Sequence, residues 1–150
     1  MTELRILLVD DHSFCREGVK AMLAATGAAV RVVGEAASGE NAVELTRGLV
    51  PDAVVMDIRL PGMSGLEAIR RILAERPTVP ILMLTMADDE TVLAAVRAGA
   101  RGYLLTDASI DALVRALFAV YEGQAIFSPE SASRVMGAAI GVQRSAPPFP

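Results

Sequence analysis

The fold of this chain is decided by the stretch Leu4-Arg5-Ile6-Leu7-Leu8-Val9-Asp10-Asp11, in which an apolar run ends in two carboxylates. A second apolar run, Ala53-Val54-Val55-Met56, ends in Asp57 in the same way. Acidic residues at the exits of buried strands are costly unless a cation lies among them. If the two strands are neighbours in a parallel sheet, the carboxylates share one pocket that suits a hard divalent cation such as Mg²⁺. One carboxylate would then be free to act as a nucleophile on a phosphoryl group.

Strand-like and helix-like segments alternate five times along the chain. The predicted strands are short and aliphatic, and they span residues 4–9, 30–35, 53–56, 80–84 and 102–105. The predicted helices have apolar residues at helical spacing and span residues 14–26, 39–48, 66–76, 88–98 and 109–121. This alternation predicts an α/β fold with a doubly wound parallel sheet and right-handed crossovers.

Five polar side chains follow the predicted strands, namely Asp10, Asp11, Asp57, Thr85 and Thr106. In doubly wound sheets the functional crevice lies at the carboxyl ends of the strands. We therefore expect these residues to meet at one rim of the sheet, although they are far apart in sequence.

The composition points to one domain with an aliphatic core. The chain has 150 residues, of which 53% are apolar and 4% aromatic. In the first helix we expect Phe14, Val19, Met22 and Leu23 to form the apolar side, and Cys15 to be a small core residue. As the sole cysteine, Cys15 excludes an internal disulfide and a cysteine-rich zinc site.

Charge and hydropathy exclude two classes of partner for this segment. The net charge is −4 and there is no run of basic residues, so the footprint of a nucleic-acid binder is missing. No apolar stretch reaches the roughly 18 residues that a membrane span requires, and the first residues do not resemble a secretory signal. We expect a cytoplasmic protein whose DNA contacts, if any, come from other sequence.

The strand–helix pattern changes after residue 122. Ser128 and Pro129 are typical of a helix start, and we expect a short helix from there to about residue 136. The proline-rich residues 145–150 are typical of a linker. We therefore divide the chain into a domain at 1–122 and an extension at 123–150, which leads toward a second domain not present in this sequence.

Four motifs give the chain a family resemblance. It resembles the receiver domain of bacterial two-component response regulators, in particular the LuxR-type subgroup, whose receiver precedes a helix-turn-helix DNA-binding domain. The resemblance covers about the first 122 residues and implies a flavodoxin-like fold with five parallel strands in the order 2-1-3-4-5 and five flanking helices. The motifs are Ile6-Leu7-Leu8-Val9-Asp10-Asp11-His12, Val55-Met56-Asp57-Ile58-Arg59-Leu60-Pro61-Gly62-Met63-Ser64-Gly65, Leu84-Thr85 and Ala98-Gly99-Ala100-Arg101-Gly102-Tyr103-Leu104-Leu105.

The resemblance implies a role for each acidic residue. Asp57 would accept a phosphoryl group from a histidine kinase or a small phosphodonor. The side chains of Asp11 and Asp57 and the backbone carbonyl of Arg59 would bind Mg²⁺, and Asp10 would reach the metal through water. A signalling domain of this kind is not an enzyme beyond its own phosphorylation and dephosphorylation.

The same resemblance implies roles for residues around the phosphoryl group. Thr85 would donate a hydrogen bond to a phosphoryl oxygen, and Tyr103 would change rotamer when Thr85 moves. Pro61 and Gly65 would shape the loop after the phosphorylation site. The remaining side of the helix at 109–121, together with the first helix, is a candidate surface for an isologous homodimer.

One position departs from the family pattern. After Tyr103-Leu104-Leu105 the family has a lysine, whereas this chain has Thr106. Threonine donates a hydrogen bond but supplies no charge, and losing such a charge-assisted contact costs about 1.5–3 kcal/mol. Because phosphorylation acts only through contacts that differ between two states, we expect a weakened switch.

Two alternatives to a phosphoacceptor remain open. The first is a pseudoreceiver, with the same fold but regulated by a partner or ligand with little phosphorylation, and Thr106 favours it. The second is an aspartyl-phosphate phosphohydrolase, which has a second aspartate two residues after its nucleophile. This chain has Arg59 at that position.

Overall fold

The computed structural model describes residues 3–85, 90–106 and 108–127. In this part of the chain six strands form one parallel sheet in the order β2-β1-β3-β4-β5-β6. The strands are β1 Leu4–Val9, β2 Val30–Ala36, β3 Ala53–Met56, β4 Ile81–Thr85, β5 Gly102–Leu105 and β6 Ile126–Phe127. The helices are α1 Ser13–Thr26, α2 Gly39–Leu49, α3 Gly65–Glu75, α4 Glu90–Ala98 and α5 Ile110–Tyr121. Among the described helices, none is long and apolar enough to cross a membrane.

The predicted fold is confirmed, with one strand added. The five predicted strands pair in the order 2-1-3-4-5, and β1, β3 and β5 have the predicted bounds. The added strand β6 pairs with β5 through Ile126 and Phe127, which lie past the expected boundary at 122. The division of the chain itself stays a prediction, because the predicted helix and linker after residue 127 lie outside the described residues.

The sheet is buried on both faces, as its aliphatic strands predict. In β3, Val54 and Met56 belong to an apolar cluster shared with α3 and α4, whereas Ala53 and Val55 belong to a cluster shared with α1 and α5. All four side chains are at most 1% exposed. Burying a valine or methionine stabilises the fold by about 1.5–3 kcal/mol, so the strand that leads into Asp57 is firmly held.

Serine side chains cap three of the helices at their first residues. Ser38, Ser64 and Ser109 accept hydrogen bonds of 3.1, 3.2 and 3.1 Å from backbone amides three residues further along α2, α3 and α5. Each cap satisfies an amide that the helix itself leaves unbonded, which is typically worth about 1 kcal/mol. The predicted cap at Ser38 is confirmed.

Two expectations for α1 are wrong. Leu23 is buried as predicted, but Phe14 is 88% exposed and Met22 is 50% exposed. Val19 and Leu23, one turn apart, pack on the sheet, and Phe14 lies five residues before Val19, about 140° around the helix at 3.6 residues per turn. Cys15 is also exposed rather than buried in the core, because it lies in the first turn of α1 near the carboxyl ends of the strands.

Candidate functional site

Strand register places Asp10 and Asp57 side by side at the carboxyl ends of β1 and β3. Val9 pairs with Met56, and each is followed directly by one of the two aspartates. The backbone amide of Asp57 donates a hydrogen bond of 2.9 Å to the carbonyl of Val9. One carboxylate oxygen from each of Asp10, Asp11 and Asp57 lies within 4.8 Å of the other two. The structure thus forms the acidic pocket that the sequence predicts; the roles of its members stay predictions.

The electrostatics of this acidic pocket favour a cation. Burial raises the pKa of the half-buried Asp57 carboxyl, and the negative charges of Asp10 and Asp11 raise it further. A hydrogen bond of 3.0 Å from the Arg59 backbone amide to Asp57 Oδ1 opposes this shift. Two unit charges about 5 Å apart repel by about 3 kcal/mol at an effective dielectric of about 20. A cation among the carboxylates therefore relieves a real cost.

His12 is a member of the site that sequence reasoning missed. Its backbone amide donates to Asp10 Oδ1 at 2.8 Å, and its Nδ1 lies 3.1 Å from the same oxygen and 3.0 Å from Asp11 Oδ1. The hydrogen bond to Asp10, followed by the charge of Asp11, raises the pKa of the His12 imidazole. The sequence signal that could have identified His12 is its position directly after Asp10 and Asp11.

Arg16 is the second member that sequence reasoning missed. Its Nη1 donates to the backbone carbonyl of Asp10, and its Nε donates to Glu35 Oε1 at 3.0 Å. Lys20 donates to the other oxygen of Glu35 at 2.8 Å. The hydrogen bond from Lys20, and to a lesser extent the one from Arg16, lowers the pKa of the Glu35 carboxyl. These contacts tie the loop of the aspartate pair to α1 and β2. The signal was spacing, because Arg16 lies one helical turn after His12.

A close backbone approach shapes the loop after Asp57. The amide of Gly65, the first residue of α3, donates to the carbonyl of Ile58 at 3.1 Å. A Cβ atom at Gly65 would lie 2.5 Å from that same oxygen, so only glycine fits without a shift. Within the loop, Gly62 has a φ of +70°, and the Met63 amide donates to Glu40 Oε1 at 3.3 Å. This close approach to Ile58 is a physical reason for the expected role of Gly65 in shaping the loop.

The remaining predicted residues lie on or beneath the same rim. Thr85 ends β4 and pairs with Leu105 of β5, although its side chain lies outside the described part of the chain. Thr106 follows Leu105 directly and is exposed, while Tyr103 is 1% exposed in the apolar cluster shared with α3 and α4. Their roles toward a phosphoryl group, and that of the Arg59 carbonyl toward a metal, stay predictions.

Comparison with known proteins agrees with this arrangement. The family model described as the response regulator receiver domain matches residues 6–118. The response regulator GacA of Pseudomonas aeruginosa is 35% identical over 97% of this chain and 68% of its own length. The transcriptional regulatory protein DegU of Brevibacillus brevis is 40% identical over 85% of this chain and 54% of its own length. The chain thus spans between about half and two thirds of such relatives.

A solved structure shows the same fold. The LuxR-family two-component response regulator from Aurantimonas sp. SI85-9A1 superposes with a TM-score of 0.84 at 37% identity. The superposition covers 93% of this chain and 99% of that structure. The chain therefore belongs to the response regulator receiver domain family and is a signalling domain of the LuxR type.

Proposed function

We propose that this chain is the phosphoacceptor module of a two-component response regulator, with Asp57 as the residue that is phosphorylated. The observation that carries the proposal is the convergence of Asp10, Asp11 and Asp57 within 4.8 Å, with Asp57 directly after the fully buried strand β3. In the reaction an Asp57 oxygen attacks phosphorus while the bond from phosphorus to the donor breaks. Such transfer depends on positioning and charge stabilisation more than on other covalent chemistry.

The donor set of the acidic pocket fits Mg²⁺. Three carboxylates offer hard oxygen ligands, and burial together with the charges of Asp10 and Asp11 raises the pKa of Asp57. Asp11 and Asp57 would hold the ion directly, with the Arg59 carbonyl as a further ligand and Asp10 acting through water. When bound, the ion supplies positive charge that offsets the negative charge of the phosphoryl oxygens.

Other groups of the protein would position the Asp57 nucleophile and respond to its phosphorylation. The Arg59 amide donates to Asp57 Oδ1 and so fixes the orientation of the carboxylate. Thr85, at the end of β4, would donate a hydrogen bond to a phosphoryl oxygen. Tyr103, buried beneath that rim, would change rotamer as Thr85 moves, which carries the signal toward α4 and β5.

The proposed partners follow from the family. A histidine kinase would supply the phosphoryl group, and the receiver at 1–122 would act through the extension at 123–150 on a helix-turn-helix domain that regulates transcription. The relatives that carry the names GacA and DegU are longer than this chain, which leaves room in them for a further domain. The outer side of α5 with α1 is the proposed homodimer surface.

Thr106 supports a second candidate, a pseudoreceiver with little phosphorylation. It is exposed at the rim, one residue past the partner of Thr85, where the family has a lysine. Without that charge, a phosphorylated Asp57 would lose a contact worth about 1.5–3 kcal/mol. The three carboxylates of the acidic pocket are all present, however, so the loss would bear on the switch rather than on metal binding.

Intact-mass measurement after incubation with Mg²⁺ and acetyl phosphate separates the two candidates. If the chain is a phosphoacceptor, its mass should increase by one phosphoryl group, and this increase should depend on Mg²⁺ and be missing in Asp57→Asn. A protein that stays unmodified, and whose Asp57→Asn variant behaves identically, would support the pseudoreceiver instead.

A further inference from the structure

Cys15 lies beside the acidic pocket in a setting that its proposed function does not use. It is the single cysteine of the chain, it is exposed in the first turn of α1, and it lines a narrow cleft together with Asp10 and Asp57. One ligand atom from each of Asp10, His12 and Cys15 lies within 4.8 Å of the other two. A thiol, an imidazole and a carboxylate therefore converge at one accessible point.

The local backbone explains this convergence. His12 is the N-cap of α1 and Cys15 is three residues further on, a spacing that puts both side chains on the same side of the first turn. Asp10 is fixed from the other side, because the His12 amide donates to its Oδ1 and Arg16 donates to its carbonyl. The three groups are thus held by one turn of helix and the end of β1.

We propose that Asp10, His12 and Cys15 form a second metal site, for a borderline-soft divalent ion of the Zn²⁺ type. Sulfur and imidazole nitrogen favour such ions over Mg²⁺, which prefers oxygen alone. In a tetrahedral zinc site, neighbouring ligand atoms are separated by about 3.3–3.5 Å, given bond lengths of about 2.0–2.3 Å. The His12 Nδ1 and Asp10 Oδ1 atoms are 3.1 Å apart, and one ligand atom of each residue lies within 4.8 Å of the Cys15 sulfur, so binding would draw the three groups slightly closer together. Water would take the fourth position.

Proton balance makes binding depend on displacement of the thiol proton. A free cysteine has a pKa of about 8.5, so the metal-free thiol keeps its proton at neutral pH. Binding forms a metal–sulfur bond and releases that proton to solvent. The bound ion then places positive charge among the carboxylates.

Sharing of Asp10 gives the second site a consequence for phosphorylation, which rests on the proposed function of Asp57. Because Asp10 serves both metals, an ion bound to His12 and Cys15 withdraws that carboxylate from the Mg²⁺ site. Zn²⁺ is therefore expected to slow phosphorylation of the wild type and not of Cys15→Ser.

The test uses the single thiol as the reporter, in the 150-residue protein. The rate of Cys15 alkylation by iodoacetamide is followed by intact mass with a chelator, with Mg²⁺ and with stoichiometric Zn²⁺. We expect Zn²⁺ to slow alkylation at least about tenfold, Mg²⁺ not to slow it, and His12→Ala to abolish the protection. A matched control moves the thiol along α1 in Cys15→Ser/Ala25→Cys, where the exposed cysteine should react equally with and without Zn²⁺.

Cobalt spectroscopy gives an independent readout that does not involve phosphorylation. Co²⁺ bound to a thiolate produces a near-ultraviolet charge-transfer band, which should be present in the wild type and missing in Cys15→Ser. Equal alkylation rates with and without Zn²⁺, or protection that persists in His12→Ala, would overturn the proposed site. Because neither readout needs a phosphodonor, failure of the metal site is distinguishable from failure of the phosphoacceptor.

Discussion

The Gly65 amide donates a hydrogen bond of 3.1 Å to the carbonyl of Ile58, and a Cβ atom at Gly65 would lie 2.5 Å from that oxygen. Gly65→Ala must therefore push α3 away from the residue that follows Asp57. We expect the free energy of unfolding to fall by about 1–3 kcal/mol, the usual cost of overpacking. Urea denaturation measures this change, and Mg²⁺ affinity should fall with it.

Gly18→Ala is the matched control for Gly65→Ala. Gly18 lies within α1, and an added Cβ would meet nothing within 4 Å. Since alanine is the better helix former, this variant should be more stable than the wild type by about 0.5–1 kcal/mol. If both alanine variants changed stability alike, the contact with Ile58 would not be what restricts position 65.

Asp57→Asn is expected to stabilise the metal-free protein. Burial and the neighbouring carboxylates raise the folded-state pKa of Asp57. Its ionised form therefore destabilises the fold above that pKa, and the cost is lost as pH falls from that value to the lower unfolded-state pKa. With solvent screening of this half-buried group, the gain at neutral pH is up to about 1 kcal/mol. Urea denaturation with a chelator measures it.

Mg²⁺ should reverse the order of these two proteins. The ion binds the folded wild type and stabilises it by mass action, whereas Asp57→Asn has lost one carboxylate ligand. Repeating the denaturation at increasing Mg²⁺ concentration checks this expectation. An equal gain in both proteins would mean that Asp57 does not take part in metal binding.

Glu35→Gln tests the ion pairs that hold the loop of the aspartate pair. Lys20 and Arg16 lower the folded-state pKa of Glu35, so the stabilisation is present above its unfolded-state pKa and is lost as pH falls through the lower folded-state value. At neutral pH we expect the free energy of unfolding of Glu35→Gln, measured by urea denaturation, to be about 0.5–1 kcal/mol below that of the wild type. This difference should disappear in acid. Glu75→Gln, which breaks a more exposed pair with Arg47, should change stability less at every pH. If the stability difference between Glu35→Gln and the wild type stayed constant into acid, the ion pairs of Glu35 would not be its cause.

Thr106→Lys should strengthen the coupling between phosphorylation and dimerisation. Thr106 is exposed at the same rim of the sheet as Asp57, so a lysine fits there and would add a positive charge at that rim. Sedimentation velocity with a beryllium fluoride phosphate mimic should show dimerisation tighter by about tenfold, equivalent to about 1.4 kcal/mol. Thr106→Met, similar in length and uncharged, should behave as the wild type does. Equal coupling in the lysine and methionine variants would refute a role for charge at this position.

Much of the fold could be predicted because aliphatic strands and amphipathic helices are local patterns. The bounds of β1, β3 and β5 were predicted correctly, and the meeting of Asp10 with Asp57 follows from topology alone. Strand β6 was not predicted, because two residues are too few for a pattern. The exposure of Phe14 was also missed, since periodicity does not say which side of a helix meets the sheet.

The rest of the site depends on contacts that the sequence does not encode locally. Arg16 and Glu35 are 19 residues apart, and only the packing of α1 beside β2 brings them together. The approach of Gly65 to Ile58 depends in the same way on where α3 begins. A lone glycine or arginine has many uses, and the sequence alone does not choose among them.

The phosphorylated residue itself can be identified by chemistry. An acyl phosphate on aspartate is reduced by sodium borohydride to homoserine, which peptide mapping locates after incubation with Mg²⁺ and acetyl phosphate. We predict homoserine at position 57 only when both Mg²⁺ and acetyl phosphate were present, and none at positions 10 and 11. Homoserine at another position, or none in a folded protein that binds Mg²⁺, would contradict the assignment of Asp57 as the phosphoacceptor.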